Sequence, residues 1–168
     1  MHDSIRNELK KFRKKYDPKG EIAELGALNI NGSPREYLPP LTGFDIVDGP
    51  GIDVKIIPGI IQRKYRGVFD VVVSSSSFHY CPSPEVYKKQ ITDLLKSGGL
   101  LWMSMCAPSC KRNHTTSDNE YGFTDCFRMS KEELAKFLLP EIEKIKCYYT
   151  KEGHSKGVQD LIYIGRKV

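Results

Sequence analysis

"GVFDVVVSSSSFHYCPSPEVYKKQITDLLKSGGLLWMSM", residues 67–105, decides the fold. Residues 67–77 hold a β-branched apolar run, the composition of a strand buried on both faces. Residues 82–96 place Val86, Ile91, Leu94 and Leu95 at helical spacing, with Gly98-Gly99 just past the end to stop the helix. Residues 100–105, LLWMSM, read as the next strand. A strand, a helix and a strand in succession predict a parallel sheet with its faces covered.

The same alternation extends outward. Upstream, residues 21–25 read as a short strand and residues 33–38 as a helical stretch ended by Pro39-Pro40. Residues 41–47 form a second strand, Gly49-Pro50-Gly51 turns the chain, and residues 53–57 form a third, closed by Pro58-Gly59. Downstream, residues 107–129 are long, polar and irregular, the mark of a functional or a mobile loop in a compact domain. Ser130 opens a helix with Glu133 three residues on, a capping box, and Leu139-Pro140 ends it. "IEKIKCYYT" (142–150) and "VQDLIYIGRKV" (158–168) read as two final strands joined as a hairpin. The expectation is an α/β, Rossmann-like, seven-stranded and mostly parallel sheet. Helices lie on both faces, and the C-terminal hairpin adds an antiparallel edge strand.

The 168 residues suit one domain with a single core, and 39% hydrophobic with 28% charged residues is an ordinary globular composition. No apolar run approaches the roughly 20 residues that cross a bilayer. The N-terminus is too charged for a secretory signal, so the expected location is the cytoplasm. Five cysteines at irregular spacing offer no zinc pattern; they read as reduced thiols, with no metal expected. Residues 1–20 carry +4 of the net charge of +5. Within them Ile5, Leu9, Phe12 and Tyr16 make the stripe of an amphipathic helix over residues 1–19, ahead of a core over 20–168. Its lysines are either a solvated face or a patch for a phosphorylated substrate or nucleic acid. The aromatic interleaving of single-strand binders is absent from it, so nucleic acid is not favoured.

In open parallel sheets, ligands bind beyond the carboxyl ends of the strands where the strand order reverses. That rule gathers residues 26–32, 45–48, 74–80 and 106–114 around one crevice. The turn after Glu24 holds Gly26, Asn29, Asn31 and Gly32, small and amide residues that admit a ligand to backbone N–H groups. Asp45, closing the second strand, is an acid suited to ribose hydroxyls, though an aspartate there equally serves as a turn residue.

Taken in order, "EIAELGALNINGS", "GFDIVDGPGIDV" and residues 67–105 resemble the successive motifs of the class I S-adenosylmethionine-dependent methyltransferases, nearest to the type 11 methyltransferase domain. The resemblance runs over roughly residues 20–168. It implies S-adenosylmethionine as cofactor, with Glu24, Gly26, Ala27, Leu28 and Asn29 around the methionine end. It also implies Asp45 on the ribose, Ile46 near the adenine, and Ser74 to Phe78 closing the floor beside the methyl group. "YGFTDCFRMSKEEL" is similar to a segment of methyltransferases that act on sugars, which implies Asp125 and Arg128 near a substrate; Tyr80 is a further substrate-side candidate, and Arg128 with Asp125 equally reads as a structural ion pair. Two positions depart from the pattern. Leu28 stands where the family has its second loop glycine, and Pro58-Gly59 stands where an acid usually meets the adenine amine.

A sulfonium methyl is already electrophilic, so proximity and alignment supply most of the acceleration. Where the acceptor must lose a proton, His79 and His114 are the candidate bases, because imidazole titrates near neutrality. Each has a plainer reading, His79 as a packing residue and His114 as an exposed loop histidine. The leading expectation is methyl transfer to a small-molecule or sugar-like acceptor. A degenerate, non-catalytic binding module and a nucleic-acid methyltransferase are the alternatives. Oligomeric state is not encoded in any of these signals.

Overall fold

The structure is a computed structural model and describes residues 1–30, 32–110, 127–151 and 159–168. Among the described residues, seven strands make one sheet in the order β3-β2-β1-β4-β5-β7-β6. They are β1 (Ile22–Leu25), β2 (Thr42–Asp45), β3 (Val54–Lys55), β4 (Phe69–Ser75), β5 (Leu95–Cys106), β6 (Ile142–Tyr149) and β7 (Asp160–Lys167). β1 to β5 pair in parallel, and β7 runs antiparallel to both β5 and β6.

Helix α1 (Asp3–Tyr16) lays Ile5, Leu9 and Phe12 on one face of the sheet, against Ile22, Val71, Val73, Trp102, Ile162 and Ile164. Helices α2 (Pro84–Leu94) and α3 (Lys131–Leu138) cover the opposite face, where Val72, Leu101, Met103 and Tyr163 meet Tyr87, Ile91, Leu94, Leu134 and Leu138. The valines of β4 alternate between these two cores, which is why its sequence is apolar without a period of two. The helix starts follow their caps. Ser83 accepts from Val86 N with Pro84 in the first turn, and Ser130 and Glu133 form the reciprocal box that the sequence predicts. No described helix is long and apolar enough to cross a membrane.

Two elements differ from the sequence reading: helix α2 ends at Leu94, so Gly98-Gly99 lie inside β5 rather than stopping the helix, and the expected helix over 33–38 is missing. Residues 33–38 make only a 3-10 turn, Pro34–Glu36, capped by Ser33. Pro39 disfavours the helical region for Leu38 before it, so no second turn can form. The C-terminal hairpin supplies the antiparallel edge as expected: β7 lies between β5 and β6, and β6 is the edge strand. Leu161, Ile162, Tyr163 and Ile164 of β7 are buried on both faces, whereas β6 leaves Glu143 to Lys146 exposed, as an edge strand tolerates.

Candidate functional site

The strand order turns back between β1 and β4, and a cleft of about 470 Å³ opens there at the carboxyl ends of the strands. The tips of β1, β2 and β4 supply its floor, the 56–58 segment and the start of α2 its walls.

Gly26 enters the cleft from β1 with φ of 79°, a left-handed conformation that glycine adopts without strain. A Cβ there would overlap Ser77 Cβ and Oγ and press on the Tyr87 hydroxyl, so the close approach of β4 to the loop depends on glycine. Gly26 N and Ala27 N both donate to Phe44 O, tying the loop to β2. Asp45 completes the tie: its carboxylate accepts from Leu28 N at 3.0 Å and from Ile46 N at 2.7 Å. Burial pushes the Asp45 carboxyl above its ordinary pKa, opposed by the N–H groups of Leu28, Ile46 and Val47. A carboxylate offers about four lone-pair sites, so acceptor capacity remains for a ligand's hydroxyls.

Beneath Gly26 lies a cluster of hydroxyls. Ser77 Oγ and Tyr87 OH both donate to Leu25 O, at 3.1 and 2.9 Å, and Ser74 Oγ sits 2.9 Å from Tyr87 OH. Burial raises the Tyr87 pKa, which keeps its hydroxyl protonated and neutral.

Gly26, Leu28, Asp45, Ile46 and Tyr80 therefore come together on the cleft. Other candidates lie behind it. Glu24, 3% exposed, accepts from Ser33 Oγ at 3.1 Å, and burial pushes its carboxyl up to about 8. Ala27 is buried, and exposed Asn29 accepts from Gly32 N through Oδ1. Ser74 belongs to the hydroxyl cluster; Phe78 packs its ring on Tyr87 and Phe127. His79 is buried with its ring 4.2 Å from that of Tyr80. Arg128 follows Phe127 and is half-buried, while His114 and Asp125 lie outside the described residues. No residue of α1 lines the cleft; Lys10, Arg13 and Lys14 flank a separate shallow depression with Asp17 and Tyr37.

Ser75, Ser76 and Ser77, within the expected Ser74–Phe78 floor, line the cleft, whereas sequence reasoning missed Tyr87 and Gln90 on its α2 wall. For these two a signal existed. Tyr87, Gln90, Ile91 and Leu94 occupy one helical stripe and are all buried, so two polar groups stand on a core-facing line.

Residues 54–103 match the methyltransferase domain family. Solved structures match over nearly the whole chain. The 1,6-didemethyltoxoflavin-N1-methyltransferase of Burkholderia thailandensis, with 1,6-didemethyltoxoflavin and S-adenosylhomocysteine bound, has a TM-score of 0.74 at 17% identity, over 99% of this chain and 79% of that one. The N-methyltransferase NodS of Bradyrhizobium japonicum, in complex with S-adenosylhomocysteine, scores 0.66 at 15% identity, over 99% and 88%. This is a class I methyltransferase fold. An S-adenosylmethionine-dependent methyltransferase of Aquifex aeolicus shares it, with a TM-score of 0.69 at 12% identity, over 99% and 90%. No curated protein sequence matches the chain.

The Asp45 carboxylate, the close backbone approach at Gly26 and the apolar wall of Ile46, Ile56 and Pro58 give an acceptor and a shape compatible with the ribose and base of S-adenosylmethionine. The cleft volume lies within the roughly 300–1,000 Å³ of small-ligand sites.

Proposed function

We propose that this protein is an S-adenosylmethionine-dependent methyltransferase acting on a small-molecule or sugar-like acceptor. The observation that carries the reading is the cleft at the switch point, where Asp45 and the Gly26 loop are locked to each other by hydrogen bonds. In this reading Asp45 accepts from the ribose hydroxyls, and the loop from Gly26 to Ile30 borders the methionine end. Ile46, Ile56 and Pro58 enclose the base.

The bound cofactor supplies an electrophilic methyl group, so the protein's task is alignment and exclusion of water. The hydroxyls of Ser74, Ser77 and Tyr87 hold the tip of β4 rigidly against the tip of β1 through Leu25 O. In this reading Tyr80, which faces the cleft, borders the acceptor, and His79, buried with its ring against that of Tyr80, is the candidate base for an acceptor that must lose a proton. The small-molecule class is supported by the Burkholderia thailandensis structure, which holds its acceptor on the same fold.

Calorimetric titration of the purified chain with S-adenosylmethionine and S-adenosylhomocysteine tests the reading. Saturable binding of both, at one molecule per chain, is the expected result. No heat from either ligand, in a chain whose folding is verified by circular dichroism, would overturn it.

A further inference from the structure

Gln90 lies on α2 and is 3% exposed, yet its amide nitrogen has no hydrogen-bond partner among the described residues. It lines the cleft. A buried amide donor left unpaired costs free energy that folding must offset elsewhere, so its retention in a wall asks for a reason.

Its surroundings suggest one. Val86, one helical turn earlier on the same side of α2, faces the 57–60 turn: a Cβ on Gly59 would meet Val86 Cγ1 at 3.5 Å. Gln90 therefore belongs to the part of the cleft bounded by Ile56, Pro58 and Val86. That part is otherwise apolar. The β3 tip, which the sequence shows ending in Pro58-Gly59, brings no carboxylate to it.

We infer that Gln90 reads the edge of the cofactor's base. This rests on the proposed cofactor reading, in which Asp45 takes the ribose and the base lies toward Ile46 and Ile56. An amide presents one donor and one acceptor side by side, the complement of adenine's ring nitrogen and exocyclic amine, as glutamine does with adenine in nucleic acids. Nε2–H donates to a ring nitrogen and the carbonyl accepts from the 6-amino group. α2 thus supplies the polar contact that β3 lacks. Gln90 is a specificity-determining residue for a 6-aminopurine and takes no part in moving the methyl group.

Calorimetry on the full chain tests this with two probes: S-adenosylhomocysteine and its analogue without the 6-amino group. The wild type is expected to bind the adenine form on the order of tenfold more tightly, the worth of one buried hydrogen bond. Gln90→Met, close in size, is expected to abolish that preference: the adenine form loses both contacts and the analogue only the ring-nitrogen one, so the adenine form weakens about tenfold more than the other. The same variant should melt higher than wild type without ligand, because it removes an unsatisfied amide from an apolar wall; Gln90→Leu provides a second shape. A merely structural glutamine would not couple higher melting to lost base preference. If the wild type binds neither probe, the cofactor reading falls and takes this inference with it. If it binds but prefers neither form, or if both variants keep the preference, the inference alone is overturned.

Discussion

Asp45 Oδ2 accepts the backbone N–H of Leu28 at 3.0 Å, so the acid closing β2 and the leucine that stands where the sequence resemblance expects a glycine are one structural unit. The tether fixes the loop by its backbone, which any residue at position 28 can offer. The Leu28 side chain leans the other way: its Cδ1 would crowd a Cβ on Gly49, in the turn after β2.

From this pairing, Asp45→Ala is expected to act twice. It removes the acceptor for Leu28 N and Ile46 N, which should destabilise the fold by about 1–3 kcal/mol in urea unfolding. It also removes the ribose acceptor, so S-adenosylhomocysteine binding should fall at least tenfold. Asp45→Asn keeps one oxygen and should lie between the two on both scales. Binding equal to wild type in both variants would remove Asp45 from the site.

Leu28→Gly separates the side chain from the backbone tether. Because the leucine packs toward Gly49 while bordering the cleft, its loss should cost stability, by about 1 kcal/mol, from lost burial and greater unfolded-state freedom. Affinity for S-adenosylhomocysteine should stay within about threefold of wild type, less than the worth of one hydrogen bond. A tenfold tightening in calorimetry would instead show the leucine obstructing the cofactor.

Gly26→Ala tests the close approach of β1 and β4. The added methyl meets Ser77 at a φ of 79°, so the cost should be about 1–3 kcal/mol for the backbone strain alone, with the steric overlap in addition. Pairing it with Ser77→Gly should recover the steric part and leave the strain. Thermal melts of the two single variants and the double variant form the cycle; strict additivity would contradict the contact.

Glu24 sets a pH dependence. Burial lifts its carboxyl to about 8 from an ordinary 4.5, so the folded chain keeps a proton that the unfolded chain has already released. Stability from this group is therefore complete below about pH 4.5 and is lost as pH rises toward 8. Glu24→Gln keeps an oxygen for Ser33 and has nothing to titrate. Relative to that variant, the wild type should lose on the order of a few kcal/mol across this interval, measured by urea unfolding at several pH values. Parallel pH curves would mean that Glu24 is charged throughout.

What the sequence disclosed followed the range of the forces involved. The β4 run, the Ser83 and Ser130 caps and the acid ending β2 are local signals, read from neighbouring residues. The place of β7 depends on which strand it pairs with across the sheet; its uninterrupted LIYI run, beside the polar-rich β6, is the clue that it belongs inside. The missing helix at 33–38 was written in the spacing of Pro34 and Pro39, which leaves too few residues for a second turn. Tyr87 and Gln90 were hidden because the helix was phased on Val86, Ile91, Leu94 and Leu95. Its buried stripe is turned one residue from that, and two of its members are polar. Sites that use buried polar groups escape a reading based on apolar spacing.

The basic helix is the remaining case, and the structure sets its charges apart from the cleft. Lys10 lies over the Tyr37 ring, 5.2 Å from its centroid, and with Arg13, Lys14 and Asp17 it borders a depression of its own. Arg6 pairs with Asp3 at 3.0 Å and lies against the turn after β1, where a Cβ on Gly32 would meet its Nη2 at 3.0 Å. Exposed charges act over about 8 Å at physiological salt, so lysines outside the cleft contribute little to a ligand within it. Lys10→Glu combined with Lys14→Glu should therefore leave S-adenosylhomocysteine affinity, and its slope against salt concentration, as in the wild type. The measurement is a calorimetric salt series on both proteins. A flattened slope in the charge-reversed chain would restore the helix as an electrostatic guide for the ligand; a parallel one leaves it as the solvated cover over Ile22, Val71 and Trp102.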